Sequence, residues 1–226
     1  MTILAIETSG KPAGTAVVTD GVLTASYYQN SGLTHSKTLL VMVESMLVNL
    51  DIKISDIDMI AVAKGPGSFT GIRIGVAAAK GLAWGLDIPV CGVSTLEAIA
   101  RQTNVPDVLI CPVMDARRNQ VYNALFEYEY GELKRLCEDE AISLEDLAHE
   151  ICKYDKLCLP VGDGEELFRS YLTEAGIPHL KAPDLLSKQT AFGVALAAGY
   201  TEPTDFSDLV PNYLRPSQAE RERGLK

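Results

Sequence analysis

One stretch, Lys64 to Gly85 (KGPGSFTGIRIGVAAAKGLAWG), constrains the fold of this chain more than any other. The apolar run Met59–Ala63 feeds into it, a glycine-rich turn follows, and then comes a helix built mainly from small residues. Gly65 and Gly67 permit backbone angles closed to other residues, and Pro66 stiffens the turn between them. Ser68 or Thr70 is placed to cap the helix. A strand, a tight turn and a helix N-terminus in that order form a phosphate cradle, because free N–H groups and the helix dipole both favour an anion. The same letters also fit a plain strand-to-helix turn, and physics alone leaves the two level. The Lys-Ser/Thr pair of a P-loop is absent, both here and after Ser9-Gly10-Lys11-Pro12.

Bulk properties narrow the classes. A chain of 226 residues, 47% apolar, can bury a sizeable core as one large domain or two small ones. Thirty acids against twenty bases give a net charge of −10. No basic stripe of the kind a free-standing nucleic-acid binder carries is visible, so contact with nucleic acid is expected through a partner. The five cysteines lack CxxC spacing, and Cys91, Cys111 and Cys158 lie in or beside apolar runs, as reduced core thiols of a cytoplasmic protein do. Glu7 interrupts the first apolar run too early for a signal peptide, and no run is long enough to span a bilayer.

The pattern along the chain repeats. Thr2–Ile6 reads as a buried strand, and Ala13–Thr19 and Val22–Tyr28 flank Asp20-Gly21, a strong hairpin signal. Ser36 is placed to cap a helix over 37–50, Asp58–Ala63 is a strand, Gly71–Gly85 a helix, Pro89–Val93 a strand, and Ser94 or Thr95 opens a helix ending near Gln102. After Val105-Pro106-Asp107, strands are expected at Val108–Met114, Val121–Tyr130 and up to about Ile142. Ser143 then caps a helix through Cys152, and a strand (Lys156–Val161) and a helix (Glu165–Ala175) follow. Order βββαβα thus occurs twice, which predicts an α/β protein of two duplicated ribonuclease H-like lobes, residues 1–103 and 104–226. The second would carry a last helix over 188–200 and a charged, frayed tail from Gln218.

Candidate chemistry gathers at strand ends, where α/β sheets bind ligands. Glu7-Thr8-Ser9 closes the first strand, Asp115 closes the first strand of the second half, and Gly162-Asp163-Gly164 closes a later one. Glu7, Thr8, Ser9 and Asp115, with Gly65, Gly67 and Ser68, are the weak candidates for a cofactor site, although a lone acid at a strand end is usually just solvated or capping; for Gly162-Asp163-Gly164 turn formation is the commoner explanation. His149 starts an HExxH-like run, but Lys153 stands where the second ligand belongs, and His179 follows Pro178 in a loop expected to be solvated. No GxSxG elbow is present. No catalytic residue and no metal site is therefore expected.

Helix surfaces carry a second message. Gly71, Gly75, Ala78, Leu82 and Gly85 share one face, and a glycine inside a helix costs roughly 1 kcal/mol against alanine. Close backbone packing normally offsets that, either inside the fold or at a subunit interface. The preceding helix presents a broad stripe of Leu39, Leu40, Val43, Met46, Leu47 and Leu50. An oligomer interface made by these two helices is the expectation, with His35 and Arg73 as polar members.

Five segments together, Ile3–Ser9 (ILAIETS), Lys64–Gly75 (KGPGSFTGIRIG), 115–122 (DARRNQVY), Gly162–Gly164 (GDG) and Pro211–Arg215 (PNYLR), resemble the bacterial TsaB (YeaZ) family along the whole chain. The resemblance implies an actin-like ATPase (ASKHA) fold. It implies a non-catalytic scaffold in the formation of threonylcarbamoyladenosine beside the anticodon of tRNAs reading codons that start with A. The partners implied are the catalytic paralogue TsaD and the ATPase TsaE, with tRNA met indirectly. A homodimer is implied when the chain is alone, and ATP or ADP, if used, is implied at the interface of the complex. TsaD carries paired histidines spaced HxxxH on its first long helix; here His35 is followed four residues on by Leu39, and a single histidine cannot pinch a metal. The alternatives are a small ASKHA-type phosphotransferase using Asp115 and, further off, a glycoprotease-like peptidase.

Overall fold

A computed structural model of the chain describes residues 1–117, 119–184 and 187–215. Arg118 and the tail expected from Gln218 lie outside the described residues. Two mixed sheets form two lobes. The first sheet has strand order β3-β2-β1-β4-β5, built from β1 (Thr2–Glu7), β2 (Ala13–Thr19), β3 (Val22–Gln29), β4 (Met59–Gly65) and β5 (Val90–Ser94). β1 and β2 pair antiparallel (Ile3↔Val18), while β4 runs parallel to β1 (Ile3↔Met59) and β5 parallel to β4 (Ile60↔Val90). The β2–β3 turn takes positive φ at both Asp20 (49°) and Gly21 (79°), the geometry a tight hairpin requires.

Side-chain alternation divides this sheet between two helical layers. Leu4, Ile6, Val17, Ile60 and Val62 face α1 (His35–Leu50) and α2 (Phe69–Leu86). Ile3, Ala5, Ala16, Val18, Met59 and Ala61 face α6 (Ala191–Ala198), with Ala98 of α3 (Thr95–Thr103) in the same cluster. Because both faces are covered, β1 and β4 read as continuous apolar runs. Ser68 caps α2 (from Gly71 N, 3.3 Å), Ser94 caps α3 (from Glu97 N, 3.2 Å) and Thr190 caps α6 (from Gly193 N, 3.2 Å). α1 starts earlier than the sequence predicts: Thr34, not Ser36, is its N-cap residue, without a side-chain bond.

In the second lobe, β6 (Leu109–Asp115) is central. β11 (Cys158–Val161) lies parallel on one side, and the other side is shared by β7 (Gln120–Asn123) and β8 (Phe126–Glu129). β9 (Glu132–Arg135) pairs with β8, and β10 (Glu140–Ser143) with β7. The single strands expected over 121–130 and up to 142 are each broken in two. Asn123 turns its amide inward to Pro112 O (2.8 Å) and Ala124 O (3.1 Å), and Leu125 N donates to Cys137 Sγ (3.2 Å), so the ladder steps at this point. α4 (Leu144–Ile151) and α5 (Glu165–Glu174) cover this sheet with Phe168, Leu147 and Leu172. His179, expected in a solvated loop, bridges Cys158 in parallel where a further strand would lie beside β11, and it is half-buried.

The chain returns to the first lobe at its end. α6 packs on the first sheet, and Thr204 pairs with Val90 at that sheet's edge, although both lie in the 104–226 range that sequence order assigns to the second lobe. A polar chain also joins the lobes: Arg135 donates to Glu97 (3.1 Å) and Asp139 (2.7 Å), and Asp139 accepts from Ser94 (2.6 Å).

Candidate functional site

Between the lobes lies a cleft of about 710 Å³, walled by the loop after β1, the Gly65 loop, the ends of β6 and β11, and residues 212–215. Its position outside the carboxyl ends of the central strands is where this class of sheet takes ligands. Of the sequence candidates, Ser9, Gly67, Ser68 and Asp115 line it, while Glu7 and Thr8 lie buried behind it and Gly65 lies beside it. The Gly65–Pro66 peptide is cis; φ is +120° at Gly65 and +151° at Gly67, angles that the glycines in that turn permit.

Thr8 explains the glycines at the start of α2. Its hydroxyl donates to Gly71 O at 2.8 Å; a Cβ on Gly71 would overlap the Thr8 carbonyl, and one on Gly75 the Thr8 hydroxyl. The expected interface face is thus, in its first two turns, close packing inside the molecule. Leu39, Val43, Met46 and Leu47 are likewise core residues, Ala78 and Leu82 are half-buried against that core, and Gly71 and Gly75 are buried. α2 is apolar nearly all round, so its period alone could not say which face looks inward. What the two helices leave exposed is Leu40, Val41 and Val48 (73% exposed) on α1, with Trp84 (72%) on α2. Gly81 and Gly85 of α2 have nothing within 4 Å of where a Cβ would stand. Arg73 is also exposed, but it is turned to the cleft mouth, its guanidinium 3.8 Å over the Phe69 ring.

The deep end of the cleft is acidic and its acids are largely buried. Glu7, 1% exposed, accepts from both the N–H and the hydroxyl of Ser9 through Oε1 (2.5 Å each), while Oε2 is buried without a partner. Burial pushes its carboxyl up to about 7; the Ser9 bonds oppose this and the nearby Asp163 adds to it. Asp163 is raised for the same first reason, burial, against polar contacts from Gln189 and the Asp115 backbone. Gln189 fills the space between: a Cβ on Gly10 would overlap its amide. Asp115 is exposed and bonds the Arg117 N–H (2.6 Å).

These residues do not fit the metal–phosphate end of a nucleotide. One Glu7 oxygen is held by Ser9 of its own chain, and the carboxylate is buried behind the cleft wall rather than lining it. Ser68 N donates to Ser9 O (2.6 Å) and Gly71 N to the Ser68 hydroxyl, so two donors of the expected cradle are engaged internally. Among the described residues no group of three or more His, Cys, Asp or Glu side chains is placed to share a cation. His35, at the cleft edge, holds Gly10 O through Nε2 (3.0 Å), and Leu39, one turn on, is buried. At the cleft mouth the balance reverses: Lys11, Arg73, Arg117 and Arg215 all line it, in a chain of net charge −10.

Several lining residues escaped the sequence. Tyr213 and Arg215 belong to the PNYLR segment, which had carried resemblance but no role. Gln189, buried behind the lining against Gly10, sits in a polar stretch before α6 and gave no signal.

Comparison with known proteins agrees along the chain. The family profile described as "TsaD: tRNA N6-adenosine threonylcarbamoyltransferase" matches residues 29–198. The Bacillus subtilis protein "tRNA threonylcarbamoyladenosine biosynthesis protein TsaB" is 37% identical over 221 residues, 97% of this chain and 96% of that one. The Escherichia coli protein of the same name is 35% identical over 154 residues, covering 66% of this chain and 65% of its own. Among solved structures, YeaZ from Pseudomonas aeruginosa superposes with a TM-score of 0.79 at 26% identity, covering 94% of this chain and 99% of its own. Component A of the Acidaminococcus fermentans (R)-2-hydroxyglutaryl-CoA dehydratase, at 14% identity and a TM-score of 0.52, covering 89% of this chain and 97% of its own, shares the ASKHA fold.

Proposed function

Since this chain belongs to the TsaB (YeaZ) family and has its part in tRNA threonylcarbamoyladenosine biosynthesis, we propose that its part is that of a non-catalytic subunit. It docks the paralogue TsaD on the outer faces of α1 and α2. One observation carries this. Gly71 and Gly75 are accounted for by Thr8, but Gly81 and Gly85 meet nothing within the molecule. Two more glycines at roughly 1 kcal/mol each are left without an internal offset. On the same helix Trp84 stands exposed, and so does Val48 on α1. A flat strip of helix backbone flanked by apolar side chains suits a second helix pair, and a standard interface needs only about 800 Å² from each partner. Aromatic anchors of this kind dominate such surfaces.

The non-catalytic half of the proposal is supported by the cleft. Glu7 is occupied by Ser9, Gln189 fills the adjoining space, and Leu39 stands in the core where a second histidine would be needed. ATPase chemistry then belongs to TsaE and group transfer to TsaD, with tRNA held mainly by the partners and any nucleotide at the shared interface rather than in this cleft. Without TsaD, the same apolar strip pairs two copies of the chain.

Co-purification tests the docking face. Gly85→Arg and Trp84→Ala should lose TsaD, the first completely, while their urea midpoints stay at or above that of the parent. Full retention of TsaD by Gly85→Arg would place the interface elsewhere.

A further inference from the structure

The segment from Thr204 to Arg215 lies along α2 in the opposite direction and then leaves it. Lys80 Nζ donates to the carbonyls of Ser207 and Leu209 (3.1 Å each), and the Leu209 side chain is buried in the first core. Nearer the helix start, Asn212 N donates to Lys64 O at 2.7 Å, and the Asn212 carbonyl occupies the place a Gly65 Cβ would take. Tyr213 stacks on Phe69 with ring centroids 4.6 Å apart, and its hydroxyl accepts from Arg73 Nε at 2.8 Å. Two residues on, Arg215 crosses the cleft mouth and donates from Nη1 to Ala116 O in the second lobe at 2.9 Å. Each grip on α2 is local; the last is a cross-lobe bond at the end of a segment anchored wholly in the first lobe.

We propose that this segment is a latch: Tyr213 fixes it to the first turn of α2, and Arg215 uses that anchorage to hold the end of β6 and so the width of the cleft mouth. The two residues act in series. Arg215 can restrain Ala116 only while Tyr213 is seated, so a shift of the α2 N-terminus is passed to the second lobe. Ring stacking on Phe69 and the Arg73 bond to the Tyr213 hydroxyl supply the seat, and a charge-assisted bond to a carbonyl supplies the pull.

Hydrogen exchange on the intact free chain tests it without any partner, so the outcome is separate from the docking proposal. Opening of the loop after β6 is read at the amides of Ala116 and Arg117, which donate to Gln120 O and Asp115 Oδ1. Arg215→Ala should raise exchange at 115–117 about three- to tenfold, the effect of losing one charge-assisted bond at a half-open site, and leave 80–86 unchanged. Tyr213→Ala should raise exchange at 115–117 equally and at 69–73 as well; the double variant should exceed neither single at 115–117. Tyr213→Phe, which keeps the ring, should stay near the parent. Unchanged exchange at 115–117 in Arg215→Ala, or additive effects of the two substitutions there, would overturn the latch.

Discussion

Four glycines in one helix give a sharp internal test. At Gly71 a Cβ would overlap backbone, the Thr8 carbonyl, and displace the Thr8 hydroxyl from Gly71 O. Overpacking of this sort costs about 1–3 kcal/mol and the lost hydrogen bond about 1, against a helix-propensity gain of about 1 for Gly→Ala. Gly71→Ala should therefore destabilise by about 1–3 kcal/mol. At Gly81 a Cβ meets nothing within 4 Å, so only the propensity gain remains, and Gly81→Ala should stabilise by up to about 1 kcal/mol. For a chain of this size each kcal/mol moves Tm by about 2–4 °C. The same chemical change, three turns apart in one helix, should thus shift the melting temperature in opposite directions by scanning calorimetry. Should Gly71→Ala melt with or above the parent, or Gly81→Ala below it, the assignment of which glycines are internally packed is wrong.

Glu7 gives a pH signature. Its folded-state value, about 7, lies above the ordinary 4.5, so the folded protein binds the proton more tightly than the unfolded chain. Stability from this group is full below pH 4.5 and is lost as pH rises through 7. Glu7→Gln should flatten the fall in urea midpoint between pH 5 and 8; an unchanged slope would mean the carboxyl titrates normally. Purified chain with magnesium-ATP should show no phosphate release above background by malachite green. Robust turnover abolished by Glu7→Ala would instead make it a phosphotransferase.

Sequence made the strands and their order legible for definite reasons. β1 and β4 are apolar on both faces, Asp20-Gly21 is a hairpin turn, and serines at positions 68, 94 and 143 mark helix starts. The inward face of α2 was not legible, because alanines, glycines and branched residues surround that helix and leave little amphipathic contrast. Asn123 broke a strand through a bond to a carbonyl eleven residues away in sequence. The segment after Thr204 has no period at all; its meaning comes from Lys64, Phe69, Arg73 and Lys80, which lie far from it along the chain. In the cleft, the sequence placed the acids correctly at strand ends but could not reveal that Ser9 and Gln189 would close around them.

The position of α6 has a consequence for synthesis. The face of the first sheet formed by Ile3, Ala5, Val18 and Met59 is covered by Val194, Ala195 and Ala198. Once residue 103 has been added, every strand of that sheet has been made, yet the helix that shields its far side does not begin until Ala191. Through that interval a nascent chain carries a bare greasy surface, and the first lobe becomes a finished body only after the second has been translated.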